Sequence, residues 1–102
     1  QYIDPNTIRT FTTRYPGSTR RGLGFDMKQT NSSKSQNVSS KASYNTYGHT
    51  GFTGTAVWID PDTNLVYIFL SNRTYPSMNN FKLNKLDIRP RIQTVLYEAM
   101  GY

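Results

Sequence analysis

The sequence predicts an α+β fold: an antiparallel sheet of about three strands, with a short N-terminal helix and a C-terminal amphipathic helix packed on one face of the sheet. The apolar segments 55–59 and 65–70 flank a turn rich in Asp, Pro and Asn, which is typical of a β-hairpin. Apolar residues then recur at helical spacing between Ile88 and Met100. With 102 residues, the chain is long enough for one domain over 1–102 and too short for two.

The N-terminal part predicts a helix, a strand and a loop. Asp4 can cap the free amides of a helix over 6–11, and Pro5 suits the first helical position. Residues 22–28 alternate apolar side chains with Gly and Asp, which predicts a strand with one buried face. Residues 29–43 include six Ser and almost no apolar side chains, too few to offset the entropy of ordering. We therefore predict a mobile loop there.

The C-terminal part predicts a strand that enters through His49, the hairpin, a polar connection over 71–85 and the final helix. The strand at 65–70 is apolar at all six positions, which predicts cover on both faces of a sheet lying between layers of helices. We expect Asp87 to cap the helix and Gly101 to end it. Its predicted buried stripe consists of Ile88, Ile92, Val95, Leu96, Ala99 and Met100.

Charge and composition exclude several classes of function. The net charge is +6 and the pI about 9.8, but the basic residues are scattered and only Arg20 and Arg21 are adjacent. This distribution favours a solvated basic surface over a nucleic-acid partner, although a non-catalytic basic binding module stays open as an alternative. With one His and no Cys, we expect no metal site and no cofactor. No apolar run approaches the roughly 20 residues of a membrane span.

The segment His49-Thr50-Gly51 stands between the polar loop and a predicted strand. Five further blocks accompany it: 11–14, 22–26, 58–61, 69–73 and 88–91. Together these blocks resemble, in order and spacing, the C-terminal segment of the serine β-lactamase and penicillin-binding-protein-like hydrolases, whose third motif is Lys-Thr-Gly. His often replaces this Lys in the branch of class C β-lactamases and esterases. The resemblance covers nearly the whole chain, and it implies a C-terminal fragment of a β-lactamase-like domain.

The resemblance also implies roles for four residues. Gly51 would let the strand edge approach the substrate carbonyl, and the backbone amide of Phe52 would donate one of two hydrogen bonds to the oxyanion. Thr50 would present its hydroxyl to a substrate carboxylate or acyl group. His49 would place a polar or partly cationic side chain near the base that activates the nucleophile.

Each of these residues also has a purely structural interpretation. His49 would then be a surface histidine beside a strand, and Thr50 and Gly51 would be ordinary strand-entry residues. We predict that Trp58 belongs to the core and that Arg73 is a structural partner of an acid or a carbonyl at the end of its strand.

The motif that carries the nucleophile is missing from this sequence. No Ser is followed three residues later by Lys, and no Tyr is followed two residues later by Asn. Without an activated serine no acyl-enzyme forms, so we predict that this chain alone is inactive and that an upstream part of the parent chain supplies the serine. The parent would then attack a small amide, β-lactam or ester. An inactive relative used as a scaffold is the remaining alternative.

The family fold also predicts partners and location. In that fold, an all-helical region covers one face of the sheet, so we expect the same face to be exposed here and to favour self-association or docking. Members of the family are commonly periplasmic or secreted, whereas this sequence shows no targeting signal that we recognise.

Overall fold

The computed structural model describes residues 2–31 and 36–102. Four strands form one antiparallel sheet in the order β1-β2-β3-β4. The predicted α+β class is confirmed, with one very short strand in addition to the three expected. In chain order the elements are α1 (Pro5–Thr12), β1 (Asp26–Met27), β2 (Tyr47–Thr50), β3 (Ala56–Asp60), β4 (Leu65–Phe69), α2 (Lys82–Lys85) and α3 (Ile88–Ala99).

The N-terminal helix α1 forms as predicted. The Asp4 carboxylate accepts a hydrogen bond from the Asn6 amide at 2.7 Å, and Pro5 occupies the start of the helix. None of its residues is buried, and Ile8 and Phe11 are each about half exposed. Local capping therefore defines this helix more than packing does.

The predicted strand over 22–28 is wrong except at its end. The Gly22 amide donates to the Phe25 carbonyl at 3.0 Å, and Gly24 has a φ of +78°. These residues form a turn, which breaks the period of two that the alternating pattern assumed. Leu23, expected inside, is 39% exposed.

Only Asp26 and Met27 pair with β2, and both are buried. Asp26 was expected on the solvent face, but Arg20 and Arg21 form ion pairs with its carboxylate. These charged partners explain how an acid can lie in this position.

The hairpin of β3 and β4 is confirmed. Trp58 pairs with Tyr67 and Val57 with Ile68 across the two strands. The turn between them contains Asn64 in the left-handed conformation, with φ of 59°. Asn tolerates that conformation better than most residues, so the turn chemistry and the strand period agree.

The core lies on one face of the sheet, and it includes side chains from the loop segment. The described part of 29–43 contains no helix or strand, yet Val38 and Ala42 from it are buried. Residues 32–35 lie outside the described residues, so the mobility predicted for this loop stays a prediction. The cluster consists of Val38, Ala42, Ala56, Trp58, Tyr67 and Tyr97.

The opposite face of the sheet is exposed, as the resemblance led us to expect. Val57, Val66 and Ile68 are 36%, 55% and 61% exposed, and their register places them on the face away from Trp58. The prediction that strand 65–70 is covered on both sides is therefore wrong within this chain. Tyr67 is covered, but its two neighbours in β4 are not.

Asp60, at the end of β3, ties α3 and the loop segment to the sheet. Its carboxylate accepts hydrogen bonds from the Tyr97 hydroxyl at 2.5 Å, the Ser43 hydroxyl at 2.7 Å and the Asp62 amide at 3.0 Å. Burial by itself raises the pKa of Asp60, but these hydrogen bonds together outweigh it and hold the pKa below its ordinary value. The ionised carboxylate is thus part of the folded structure.

The C-terminal helix α3 matches its predicted span, and Gly101 ends it with a φ of +90°. The predicted cap is wrong. Asp87 has a φ of 51°, and its side chain makes no capping bond, because it lies in the tight turn after α2 instead of in extended backbone. The helix α2 itself falls inside 71–85, where we predicted only a polar connection.

The buried stripe predicted for α3 is also wrong. The buried residues are Gln93 and Tyr97, while Ile92, Val95, Leu96 and Met100 are 41%, 61%, 39% and 50% exposed, and Ala99 is exposed as well. Ile88 is half-buried. Gln93 can lie inside because its side-chain oxygen accepts a hydrogen bond from the Ser39 amide at 2.9 Å. The period of the helix was right, but the face turned to the core was not.

Candidate active site

His49 and Thr50 lie next to each other on β2, so their side chains point to opposite faces of the sheet. His49 is exposed on the same face as Val57, its register partner. Its Nδ1 lies 2.7 Å from the Thr50 carbonyl oxygen. Because a carbonyl can only accept, this contact requires a hydrogen on Nδ1.

Two glycines let the backbone around the motif pack closely. A Cβ on Gly48 would lie 1.9 Å from the Val57 carbonyl oxygen, and a Cβ on Gly51 would lie 2.4 Å from the Thr55 hydroxyl. The Gly51 amide donates to the Thr55 carbonyl at 2.8 Å, which closes the connection between β2 and β3. Gly51, which we predicted to let the strand edge approach a substrate carbonyl, lies against Thr55 of its own chain.

The residues 51–54 form a turn, which we call the motif turn, and it is held by neighbouring chain segments. The Thr53 carbonyl accepts hydrogen bonds from the Arg73 amide at 2.9 Å and the Ser71 hydroxyl at 3.2 Å. The Gly54 carbonyl accepts one from the Arg89 guanidinium at 3.1 Å. The motif turn therefore has a defined position although it lies at the surface.

Phe52 lies in the motif turn with its side chain 67% exposed. No acceptor pairs with its backbone amide among the residues that the structure describes. An N–H group that is fixed in place but not used inside the chain is free to donate to a ligand. The role of oxyanion donor that the resemblance implies for this amide stays a prediction.

A cavity of about 330 Å³ lies on the side of the sheet to which Thr50 points. Asn84 and Arg89 line it, and the Arg89 guanidinium donates to the Asn84 side chain at 2.6 Å. Arg20 and Asp87 contribute charges of opposite sign to the same lining. Burial lowers the pKa of Arg89, but a guanidinium keeps its charge near neutral pH. The cavity is thus polar, with one net positive charge.

Sequence reasoning missed the part of the cavity formed by Asn84 and Arg89. Arg89 falls in the block 88–91 that helped to carry the resemblance, but nothing in its local pattern shows that it reaches the motif turn, 35 residues away in sequence. His49 lies on the other face of the sheet from this cavity. The structure therefore brings Thr50, the motif turn and Arg89 together and leaves His49 facing the exposed side.

Arg73 holds backbone carbonyls, as we predicted for a structural residue. Its guanidinium donates to the Met78 and Asn80 carbonyls at 2.9 and 3.3 Å. It also lies over the rings of Phe52 and Phe81, 4.8 and 5.0 Å from their centroids. Trp58, predicted to belong to the core, is 1% exposed.

Other types of site are not evident in the described part of the chain. Within residues 2–31 and 36–102, no three acidic or histidine side chains come together as a metal site would require. None of the helices described above has the length and apolar character needed to cross a membrane.

Comparisons with known proteins indicate the family of this chain. The family model described as Beta-lactamase matches residues 4–89. A protein named "Putative D-alanyl-D-alanine carboxypeptidase" from Salmonella gallinarum is 40% identical over 82 residues, which is 80% of this chain and 19% of the relative. Proteins of the same name from Salmonella paratyphi B and Salmonella newport are 38% identical over the same shares of each chain.

No solved structure matches the chain significantly. The chain spans about a fifth of the length of these curated relatives. The family model covers most of the chain, including the strand with His49-Thr50-Gly51 and the hairpin that follows. On this evidence the chain belongs to the β-lactamase family.

Proposed function

We propose that this chain forms the C-terminal, oxyanion-binding part of a serine hydrolase that transfers an acyl group from an amide, β-lactam or ester. The observation that carries the proposal is the Phe52 amide in the motif turn, two residues after Thr50, for which no acceptor occurs among the described residues. A backbone N–H directed at a developing negative charge is a common catalytic device in acyl transfer. The serine itself would belong to the upstream part of the parent chain.

The chemistry follows from this arrangement. The serine hydroxyl attacks the carbonyl carbon and loses its proton to a base, while the carbonyl π electrons move to the oxygen. The Phe52 amide would donate to that oxyanion, and removing one such donor typically costs about 3 kcal/mol of transition-state stabilisation. Collapse of the intermediate expels the amine or alcohol, which takes up a proton. Water then attacks the acyl-enzyme and releases the acid.

The cavity beside Thr50 favours a substrate that carries a carboxylate. Arg89 and Arg20 supply positive charge there, the Thr50 hydroxyl can donate, and Asp87 offsets only one of the two cations. A peptide that ends in D-alanyl-D-alanine has a free carboxylate one residue beyond the scissile bond. The names of the Salmonella relatives refer to that substrate class. We therefore favour a carboxypeptidase over an esterase that acts on neutral esters.

Hydrolysis by the full-length protein that contains this chain tests the proposal. Three substrates separate the activities: an acyl-D-Ala-D-Ala peptide, a chromogenic β-lactam and a p-nitrophenyl ester. We expect the full-length protein to release D-Ala and to form a covalent β-lactam adduct, and the 102-residue chain to do neither. Activity of this chain alone would reveal a different nucleophile.

A second outcome would favour the scaffold alternative. If the folded full-length protein neither hydrolyses any of the three substrates nor reacts with the β-lactam, the hydrolase proposal is wrong. Salt-dependent binding of an oligonucleotide to the same protein would then support a basic binding module, given the net charge of +6.

On family grounds we also propose a periplasmic or secreted location, which fractionation of cells expressing the full-length protein would test.

A further inference from the structure

The Phe52 residue has an unusual requirement for positioning. Its amide must point steadily at one place if it is to bind an oxyanion, yet its side chain is 67% exposed and lies in a surface turn. The Thr53 and Gly54 carbonyls on its C-terminal side are held by hydrogen bonds. The Gly51 carbonyl, which belongs to the same peptide unit as the Phe52 amide, accepts a hydrogen bond from the Gly54 amide at 3.0 Å. Contacts on the Phe52 side chain can hold this unit from its other side.

The contact on the Phe52 side chain comes from Arg73. The guanidinium carbon of Arg73 lies 4.8 Å from the centroid of the Phe52 ring and 5.0 Å from that of Phe81. A guanidinium over an aromatic face is attracted by the ring quadrupole, and its flat shape suits stacking. The same cation therefore links the exposed Phe52 ring to a second ring near the start of α2.

Arg73 is itself fixed in place. One guanidinium nitrogen donates to the carbonyls of Met78 and Asn80, and the backbone amide donates to the Thr53 carbonyl in the motif turn. A side chain anchored at both ends loses little further entropy when it contacts a ring. Arg73 thus reaches Phe52 through its side chain and the next residue through its backbone.

We propose that Arg73 is a positioning residue for the oxyanion donor: its guanidinium, lying over Phe52 and Phe81, holds the Phe52 amide in its direction together with the hydrogen bond between Gly54 and Gly51. Arg73 acts through Phe52 and does not need to touch the substrate. This inference rests on the proposed function, because it assigns a role within the same oxyanion site. It predicts that loss of the guanidinium reduces the stabilisation of the transition state and leaves the affinity for the substrate largely unchanged.

The test compares variants in the full-length protein. Arg73→Leu removes the cation but keeps the backbone bond to Thr53, and we expect the rate of acylation at saturating substrate to fall roughly 10-fold, with the substrate binding constant within about twofold. Arg73→Lys keeps a cation without the planar fork, so it should recover part of the rate. Arg9→Leu is the matched control, since Arg9 lies on α1 and donates to Asn6.

A boronic acid gives a readout that a merely structural role would not move. It forms a tetrahedral adduct with a nucleophilic serine and places an oxygen in the oxyanion site, so Arg73→Leu should weaken its binding roughly 10-fold. The affinity for the product carboxylic acid, which is planar at the reacting carbon, should change by less than about twofold. Phe81→Leu, which removes one of the two rings, should show a smaller loss in the same direction.

Three results would overturn the inference. Unchanged acylation and unchanged boronic acid binding in folded Arg73→Leu would show that the guanidinium does not position the donor. Equal losses in substrate, product and boronic acid binding, together with a lower melting temperature, would show a general structural role. A wild-type full-length protein without acylation would contradict the proposed function, and the role of Arg73 would fall with it. The first two results leave the hydrolase proposal intact.

Discussion

Gly48→Ala tests whether the motif strand needs a glycine for space. A Cβ at this position would lie 1.9 Å from the Val57 carbonyl oxygen and 2.8 Å from Cε3 of Trp58. Because such contacts essentially never fall below 3.0 Å, β2 and β3 would have to separate by about 1 Å. The nearest atom belongs to the backbone, so no side-chain rotation can relieve the clash.

The magnitude follows from two costs. Overpacking costs up to about 3 kcal/mol, and each ladder hydrogen bond that lengthens beyond useful range adds about 1 kcal/mol. We therefore expect Gly48→Ala to lower the free energy of unfolding by about 4 kcal/mol, out of a total of roughly 5–15 kcal/mol for a domain of this size. With a typical urea dependence, the unfolding midpoint would fall by roughly 2 M.

Trp58 provides the assay. It is the only tryptophan of the chain, it is 1% exposed, and it faces Gly48 across the two strands. Urea unfolding followed by its fluorescence reports directly on this strand pair. Gly17→Ala is the matched control, because nothing lies within 4 Å of its Cβ position and its φ of +82° sets the cost at about 1–2 kcal/mol. Equal losses in the two variants would refute the steric argument.

The other predictions concern Asp60, the exposed sheet face and the cavity. Asp60→Asn should lower the free energy of unfolding in urea by about 3 kcal/mol at pH 7. Because the pKa of Asp60 is lowered in the folded state, this contribution is present above the unfolded carboxyl pKa and should vanish as pH falls through the folded pKa. A difference between the two proteins that does not depend on pH would contradict this. Ile68→Lys should reduce self-association in sedimentation experiments and change stability by less than about 0.5 kcal/mol, whereas unchanged association would exclude this face. Arg89→Leu in the full-length protein should raise KM about tenfold more for a carboxylate-bearing peptide than for a neutral ester, because loss of the bond to Gly54 affects both substrates alike, with Arg91→Leu as control; equal effects on both substrates would argue against a carboxylate site.

The candidate site residues that the sequence indicated lie only on β2 and in the motif turn. The blocks around His49-Thr50-Gly51 were enough to indicate the family, which the comparison over residues 4–89 then showed. The same sequence does not reveal that Arg73 contacts Phe52 or that Arg89 reaches Gly54. These contacts join residues 21 and 35 positions apart, and local patterns contain no information on such distances.

Elements whose causes are local could be predicted from the amino-acid sequence. Asp4 and Pro5 begin α1, the turn after Asp60 joins two strands, and Gly101 ends α3, because each of these residues acts on the backbone beside it. The turn at Gly24 escaped this reasoning, since Gly is compatible with both a strand and a left-handed turn, and so did Asp87, which does not cap α3.

Which surfaces are buried depends on contacts between distant parts of the chain. Periodicity gives the spacing of a helix but not its rotation, and α3 turns Gln93 and Tyr97 inward because Ser39 and Asp60 satisfy their polar groups from distant parts of the chain. Val38 and Ala42 are buried because the rest of the fold covers them: a loop too polar to form a core of its own supplies two side chains to a core formed by others. Burial depends on the partners that the whole fold brings together, and no local window of sequence contains them.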